Sequence, residues 1–335
     1  MHALRFVSNF AHRWTRFSAV LLVVGCCAAA AASAASVLTP EQIVQAGAAT
    51  VQAIREAPAL PLVQTNFMIK PPTAGWELGA VSSLAFGQDG LLYLLQRGAK
   101  ADPIVVVDAG GNVVRSWGKG LFELPHYIRV DSDGNVWTTD AHSSVVYKFT
   151  PEGVQLLKIE VGGQVAGPSP FVGITDIAFC PDGRLFVSDG YANARVVEYT
   201  AAGHRVREWG VPGIGPGEFN LPHAIVCDAS NVLYVADREN GRIQRFDPDG
   251  RFLSEWSVGK TYSLKLAGGA LWAGVHGVDQ PTGSPGWLVK LDRRTGKILG
   301  VVAVAEPFSM HAVEVDRDGQ PLTTAKSGVL WFRPR

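Results

Sequence analysis

His126-Tyr-Ile-Arg-Val-Asp-Ser-Asp-Gly134-Asn-Val-Trp137 reads as a short apolar strand, a tight turn and a second strand. Asp-Gly between two apolar runs signals a hairpin, because the turn needs a residue at positive φ. The pattern recurs as Ser82-Ser-Leu-Ala-Phe-Gly-Gln-Asp-Gly90-Leu-Leu-Tyr93 and Thr175-Asp-Ile-Ala-Phe-Cys-Pro-Asp-Gly183-Arg-Leu-Phe186. It returns in His223-Ala-Ile-Val-Cys-Asp-Ala-Ser-Asn231-Val-Leu-Tyr234 and His311-Ala-Val-Glu-Val-Asp-Arg-Asp-Gly319-Gln-Pro-Leu322, with a degenerate copy from Thr261 through Gly269 to Trp272. The turn positions lie 44, 49, 48, 38 and 50 residues apart. A third strand follows in each unit (Val145–Phe149, Arg242–Phe246), then a second turn (Pro151-Glu152-Gly153, Pro248-Asp249-Gly250) and room for a fourth strand. Four strands recurring at roughly 40–50 residues mark a propeller blade. Six such units predict an all-β, six-bladed β-propeller, in which ring closure buries blade faces that no blade could cover alone.

Around this repeat the composition is that of a folded chain. Hydrophobic residues make up 47% and charged residues only 18%, with 30 basic against 30 acidic. Without a basic stripe, nucleic acid is excluded as an expected partner. A monomer acting on a small molecule or peptide is the expectation.

The start of the chain predicts export. Arg5, Arg13 and Arg16 precede an apolar and small-residue run from Phe17 to Ala32, and Ala32-Ser33-Ala34 fits a small-x-small cleavage site. Residues 1–36 therefore read as a secretory signal peptide, too short in its apolar run for a membrane span of about 20 residues. Val23-Val24-Gly25-Cys26 also fits a lipobox, which makes Cys26 a candidate lipid anchor. Either processing gives a periplasmic or secreted protein. Residues 37–61 are expected to carry a helix from about Pro40 to Glu56, opened by Thr39-Pro-Glu-Gln42 and packed outside the ring. Residues 62–335 form the predicted propeller. From His311 to Arg335 there is room for only three strands, so Leu62–Lys70 is expected to supply the fourth strand of the last blade. Beyond residue 36 only Cys180 and Cys227 remain, one repeat apart, and they are expected as buried thiols rather than a disulfide.

Eight residues before each turn stand Ser82, His126, Thr175, His223, Thr261 and His311. Histidine alternates with a small hydroxyl residue. First strands line a propeller axis, and alternate blades of six lie about 120° apart, so three imidazoles at one height converge. Three neutral imidazoles with an open fourth position describe a catalytic zinc site. His276, in Val275-His-Gly-Val-Asp-Gln280, is expected in a rim loop rather than as a ligand.

Four further stretches carry a resemblance: Gly120-Leu-Phe-Glu-Leu-Pro-His126, Val187-Ser-Asp-Gly-Tyr191-Ala-Asn193-Ala-Arg195, Phe219-Asn-Leu-Pro-His223 and Val235-Ala-Asp-Arg238-Glu-Asn-Gly-Arg-Ile-Gln-Arg-Phe246. In order and spacing, over about residues 75–335, the chain resembles the peptidyl-α-hydroxyglycine α-amidating lyases, a branch of the NHL-repeat propellers. The resemblance implies a zinc-dependent lyase that splits a peptidyl- or N-acyl-α-hydroxyglycine into an amide and glyoxylate. It implies His126, His223 and His311 as zinc ligands. It implies Tyr191 and Arg97 (in Leu94-Leu-Gln-Arg97-Gly) as catalytic groups, with Arg97 and Arg238 also binding substrate. Tyr191 is the candidate base, and a neighbouring arginine, with Arg97 the candidate, would favour its phenolate. The family's calcium aspartate is replaced by Ala312, which leaves only the carbonyls of Leu84 and Ile128 as its counterpart here and does not carry calcium over. The family's cysteines near Tyr191 and Arg238 are also missing, Ala192 following Tyr191, and Met310 stands where a proline usually precedes the third histidine.

Two other functions fit a propeller, since a fold hosts many chemistries. One is a metal-dependent hydrolase or lactonase. The other is a non-catalytic scaffold that binds a protein or peptide.

Overall fold

The computed structural model describes residues 49–164, 169–277, 284–326 and 328–335. The expected signal peptide and the start of the expected helix lie outside the described residues. Six four-stranded antiparallel sheets form the blades. Their innermost strands are Val81–Phe86, Pro125–Val130, Asp176–Phe179, Pro222–Cys227, Lys260–Ala267 and Val313–Val315. Each inner strand touches the next, and the sixth touches the first, so the ring is closed.

Closure uses the first strand among the described residues. Leu62–Phe67 pairs antiparallel with Gly328–Pro334, from Leu62 opposite Pro334 to Phe67 opposite Val329, and completes the sixth blade. Leu62–Phe67 is the outermost strand of that sheet and Val313–Val315 the innermost, so segments from both ends of the described propeller share one blade. Trp331 sits on this seam with its ring against Phe67 and Phe86 and the Arg333 guanidinium stacked over it.

The core is six inter-blade layers. Tyr93, Ile128, Val136 and Phe149 fill the first. Trp137, Ile177 and Tyr199 fill the next, and equivalent clusters follow round to Leu84, Leu322 and Trp331 at the seam. Residues 49–56 are helical, ending where expected. Ile54 of this helix is fully buried among Tyr234, Val258 and Leu271, which docks it against the fourth and fifth blades.

Hairpin geometry explains the repeat. Gly90, Gly134, Gly183 and Gly319 all take positive φ in the turn, and Asn231 takes φ 62° in the one unit that lacks glycine there. The fifth unit differs. Ala267 pairs directly with Ala270, so its turn is the two residues Gly268 and Gly269, both at positive φ. A two-residue turn with both residues left-handed is the type I′ form. The other first hairpins use five-residue turns, as between Phe86 and Leu92. The shorter turn moves the axial position of this blade from the expected Thr261 to Tyr262.

Cys180 and Cys227 form a disulfide, with Cα atoms 5.3 Å apart, which corrects the expectation of free thiols. Cys180 opens the turn that follows Asp176–Phe179 and Cys227 ends Pro222–Cys227; these inner strands are neighbours, so the ring brings together what 47 residues separate. The bridge ties the third and fourth blades at the end of the strand opposite His223.

Candidate metal centre

A bulge aims four of the six axial side chains. His126 is the extra residue between the pairs Pro125–Asp140 and Tyr127–Thr139. His223 stands likewise between Pro222–Asp237 and Ala224–Ala236. Ser82 and Tyr262 occupy the same bulge in the first and fifth blades. An extra residue in one strand turns its side chain out of the pleat, here toward the axis. His311 reaches the axis from the lead-in to the sixth blade, flanked by Met310 N donating to Thr324 O and Thr324 N donating to Ala312 O.

The three imidazoles meet: His126, His223 and His311 present ligand atoms all within 4.8 Å of one another. Their ring centroids are 4.8 to 5.2 Å apart. Each Nδ1 lies 2.7 Å from a carbonyl of the next blade: His126 to Thr175 O, His223 to Tyr262 O and His311 to Ser82 O. A carbonyl only accepts, so Nδ1 carries the proton and Nε2 keeps its lone pair. Burial holds all three rings neutral, His311 being pushed down to about 3 and the other two well below the ordinary range. The secondary causes are His311 for His126, Arg238 for His223 and Arg97 for His311. Three anchored, neutral imidazoles fit a divalent ion of zinc's ligand preference.

Tyr191 stands at the same point. Its hydroxyl is 2.9 Å from His223 Nε2 and 3.1 Å from His126 Nε2, so the phenol donates to one lone pair or the other. Burial pushes the phenol above its usual value, against the opposing pull of Arg238 and, less strongly, Arg97. The arginine effect therefore exists, but Arg238 leads it and burial outweighs it.

Arg97 donates through Nε to Pro125 O at 2.9 Å and lies 5.4 Å from the Phe171 ring centroid. Its Nη2 is buried with no hydrogen-bond partner among the described residues. A desolvated guanidinium nitrogen without an acceptor is costly unless a ligand supplies one. Arg238 lies over the rings of Tyr262 (4.8 Å) and Tyr191 (5.8 Å). Its Nε donates to Glu239, which also pairs with Lys260, while neighbouring Asp237 pairs with Arg242 instead.

Three residues enlarge the sequence-based set. Tyr262 was hidden by the short turn of its unit. Phe171, 4.9 Å from Tyr191 and 6.3 Å from His126 between ring centroids, lies outside the blade strands and has no repeat register to reveal it. His276 ends the second strand of the fifth blade and is buried, 4.8 Å from Tyr262 by centroid and 3.1 Å by Nε2 from Ser309 O. This corrects its expected place in a rim loop.

The layer beneath the histidines holds Leu84 and Ile128, whose carbonyls stand where the family's calcium contacts are expected to fall. Ala312 is buried and offers no oxygen from its side chain. On the axis there, Arg129 pairs with Asp176 and donates to Ile225 O and Leu264 O, carbonyls in the same register as Leu84 and Ile128. A fixed cation among these carbonyls disfavours a second one.

Fold and site together define an axial three-histidine centre in a closed six-bladed propeller. Residues 219–246 match the NHL repeat family. The chain is a homologue of peptidyl-α-hydroxyglycine α-amidating lyases over about half its length. It is 36% identical over 161 residues to peptidyl-alpha-hydroxyglycine alpha-amidating lyase 1 of Drosophila melanogaster, covering 44% of this chain and 30% of that one. It is 39% identical over 158 residues to the peptidyl-glycine alpha-amidating monooxygenase of Mus musculus, covering 44% of this chain and 16% of that one. NHL repeat-containing protein 3 of Homo sapiens is 32% identical over 191 residues, 53% of this chain and 54% of that one. The chain thus spans between a sixth and about half of these relatives. A streptogramin B lyase structure shares the fold at a TM-score of 0.57 and 16% identity, covering 82% of this chain and 98% of that one. Among the described residues, no helix is long and apolar enough to cross a membrane.

Proposed function

We propose that this chain is a zinc-dependent lyase that cleaves a peptidyl- or N-acyl-α-hydroxyglycine into the corresponding amide and glyoxylate. The observation that carries the reading is the Tyr191 hydroxyl, within hydrogen-bond reach of both His126 and His223 Nε2, next to an Arg97 nitrogen that lacks a partner. The homologues' names point the same way.

In this reaction the C–N bond of a carbinolamide breaks, its C–OH becomes the aldehyde of glyoxylate, and the hydroxyl proton ends on the amide nitrogen. No water is consumed. A zinc ion held by His126, His223 and His311 would supply Lewis-acid polarisation and favour ionisation of groups beside it. Tyr191 would take the hydroxyl proton and return it to the leaving nitrogen. Arg97 Nη2 would pair with the substrate carboxylate, and Arg238, beside the tyrosine, would steady the developing phenolate. Phe171 would exclude water from the Tyr191 side.

We also propose export of the chain by the signal in residues 1–36, with the propeller working as a monomer outside the cytoplasm. An oxidising compartment accords with the Cys180–Cys227 bridge.

The test is metal analysis of purified protein alongside glyoxylate release from α-hydroxyhippurate. One equivalent of zinc with glyoxylate release is expected. Metal without glyoxylate would favour a metal-dependent hydrolase, and neither would favour a binding scaffold.

A further inference from the structure

A cavity of about 240 Å³ opens beside His311, walled by the first, fifth and sixth blades. Its polar lining is Ser82, Arg97, His276, Ser309, His311 and Lys326, with the His276 ring against Ser309 O. Ala80, Val81, Tyr262, Phe308 and Ala325 supply the rest of the wall, which is mostly apolar surface. Arg97 and His311 thus match a carboxylate and a reacting carbon, and the apolar wall matches a hydrocarbon group (apolar cavities with a few convergent polar groups are the usual form of small-molecule sites).

Phe308 sets this cavity apart from a gap between blades. The ring is 59% exposed, yet its backbone takes φ 55°, a conformation that a bulky side chain rarely adopts. The next residues hold it there. Ser309 O contacts His276 Nε2 at 3.1 Å, and Met310, itself at φ 69° and fully buried, accepts from Ser263 Oγ at 2.8 Å. A braced loop that presents an aromatic ring to solvent at strained φ, at the mouth of a cavity beside the candidate centre, is the arrangement expected of a ligand contact. Tyr262 belongs to the same wall, its own ring fixed against His223 and under Arg238.

We infer that this cavity is the acyl subsite of the centre, and that Phe308 and Tyr262 make it select substrates whose carbonyl carries an apolar, preferably aromatic, group. The inference rests on the proposed lyase reading for its choice of ligand, while the apolar wall beside the unpartnered Arg97 nitrogen is observed independently of it. A cationic acyl group would lose its hydration against Val81, Ala325 and Phe308 and would meet the like charges of Arg97 and Lys326.

Binding tests the subsite apart from turnover. Hippurate (N-benzoylglycine) and N-acetylglycine share the carboxylate and amide and differ only in the acyl group. With zinc-loaded protein, calorimetry should show hippurate binding at least about 10-fold more tightly, a few ångströms' depth of apolar contact being sufficient for that ratio. Ala80 lies exposed on the wall, so Ala80→Trp fills the cavity from the solvent side without disturbing the core. That variant should bring the two ligands to within about 2-fold, and Phe308→Ala should narrow the gap in the same direction. Equal binding to wild type, or a preference that survives Ala80→Trp, overturns the subsite. Failure to release glyoxylate from α-hydroxyhippurate, with the hippurate preference intact, would instead overturn the lyase reading and leave the subsite standing.

Discussion

Nδ1 of His311 lies 2.7 Å from the carbonyl oxygen of Ser82, across 229 residues of chain and across the seam where the sixth blade meets the first. The third imidazole of the centre is therefore oriented by ring closure itself. The other two histidines are anchored the same way on the blade that follows theirs, but only this anchor depends on the chain start pairing with the chain end.

Weakening the seam should cost both stability and metal. Trp331 is 9% exposed and packs on Phe67 and Phe86, so Trp331→Ala should destabilise the fold by about 3–5 kcal/mol. Urea denaturation measures the first effect. Zinc titration of the folded variant should show affinity falling more than in a matched core truncation such as Phe186→Ala, which lies between the third and fourth blades.

Tyr191→Phe removes one hydroxyl and keeps the ring against Phe171 and His126. Glyoxylate release should fall by about 10²-fold or more, the scale of losing a general acid–base group. Bound zinc and thermal midpoint should stay close to wild type. Unchanged turnover would exclude Tyr191 from the chemistry.

Chelation should abolish activity, and added zinc should restore it. With free zinc at about 100 times its dissociation constant, the bound ion should add about 2.7 kcal/mol to stability, read as a higher thermal midpoint. In His223→Ala the metal equivalent should be lost and the midpoint should no longer respond to zinc.

The Cys180–Cys227 bridge closes a loop of 47 residues in separation, for which chain entropy predicts about 4 kcal/mol, with about 2–4 kcal/mol typical in practice. The double variant Cys180→Ala with Cys227→Ala should lose stability of that order in denaturant. Its turnover per folded molecule should match wild type, since the bridge lies at the strand end away from His223. A large loss of turnover at 25 °C with the fold intact would show that the bridge positions the centre.

Local patterns made most of this protein legible. Alternating apolar residues around Asp-Gly turns write each hairpin into a dozen consecutive residues, and their spacing counted the blades and put His126, His223 and His311 on every second one. The missing strand of the last unit pointed to Leu62–Lys70 by simple bookkeeping of strands, and Leu62–Phe67 within it makes the pairing. What required the folded ring was everything that depends on neighbours across it. Turn length, not turn position, placed Tyr262 rather than Thr261 on the axis, because a two-residue turn shifts the count by which a strand's inner residue is reckoned. The proximity of Cys180 to Cys227, the burial of His276, the approach of Phe171 and the lead of Arg238 over Arg97 at Tyr191 arise between segments far apart in sequence. Hydrophobic periodicity is a property of one strand and survives in one dimension; convergence on an axis is a property of six strands packed together and exists only in three.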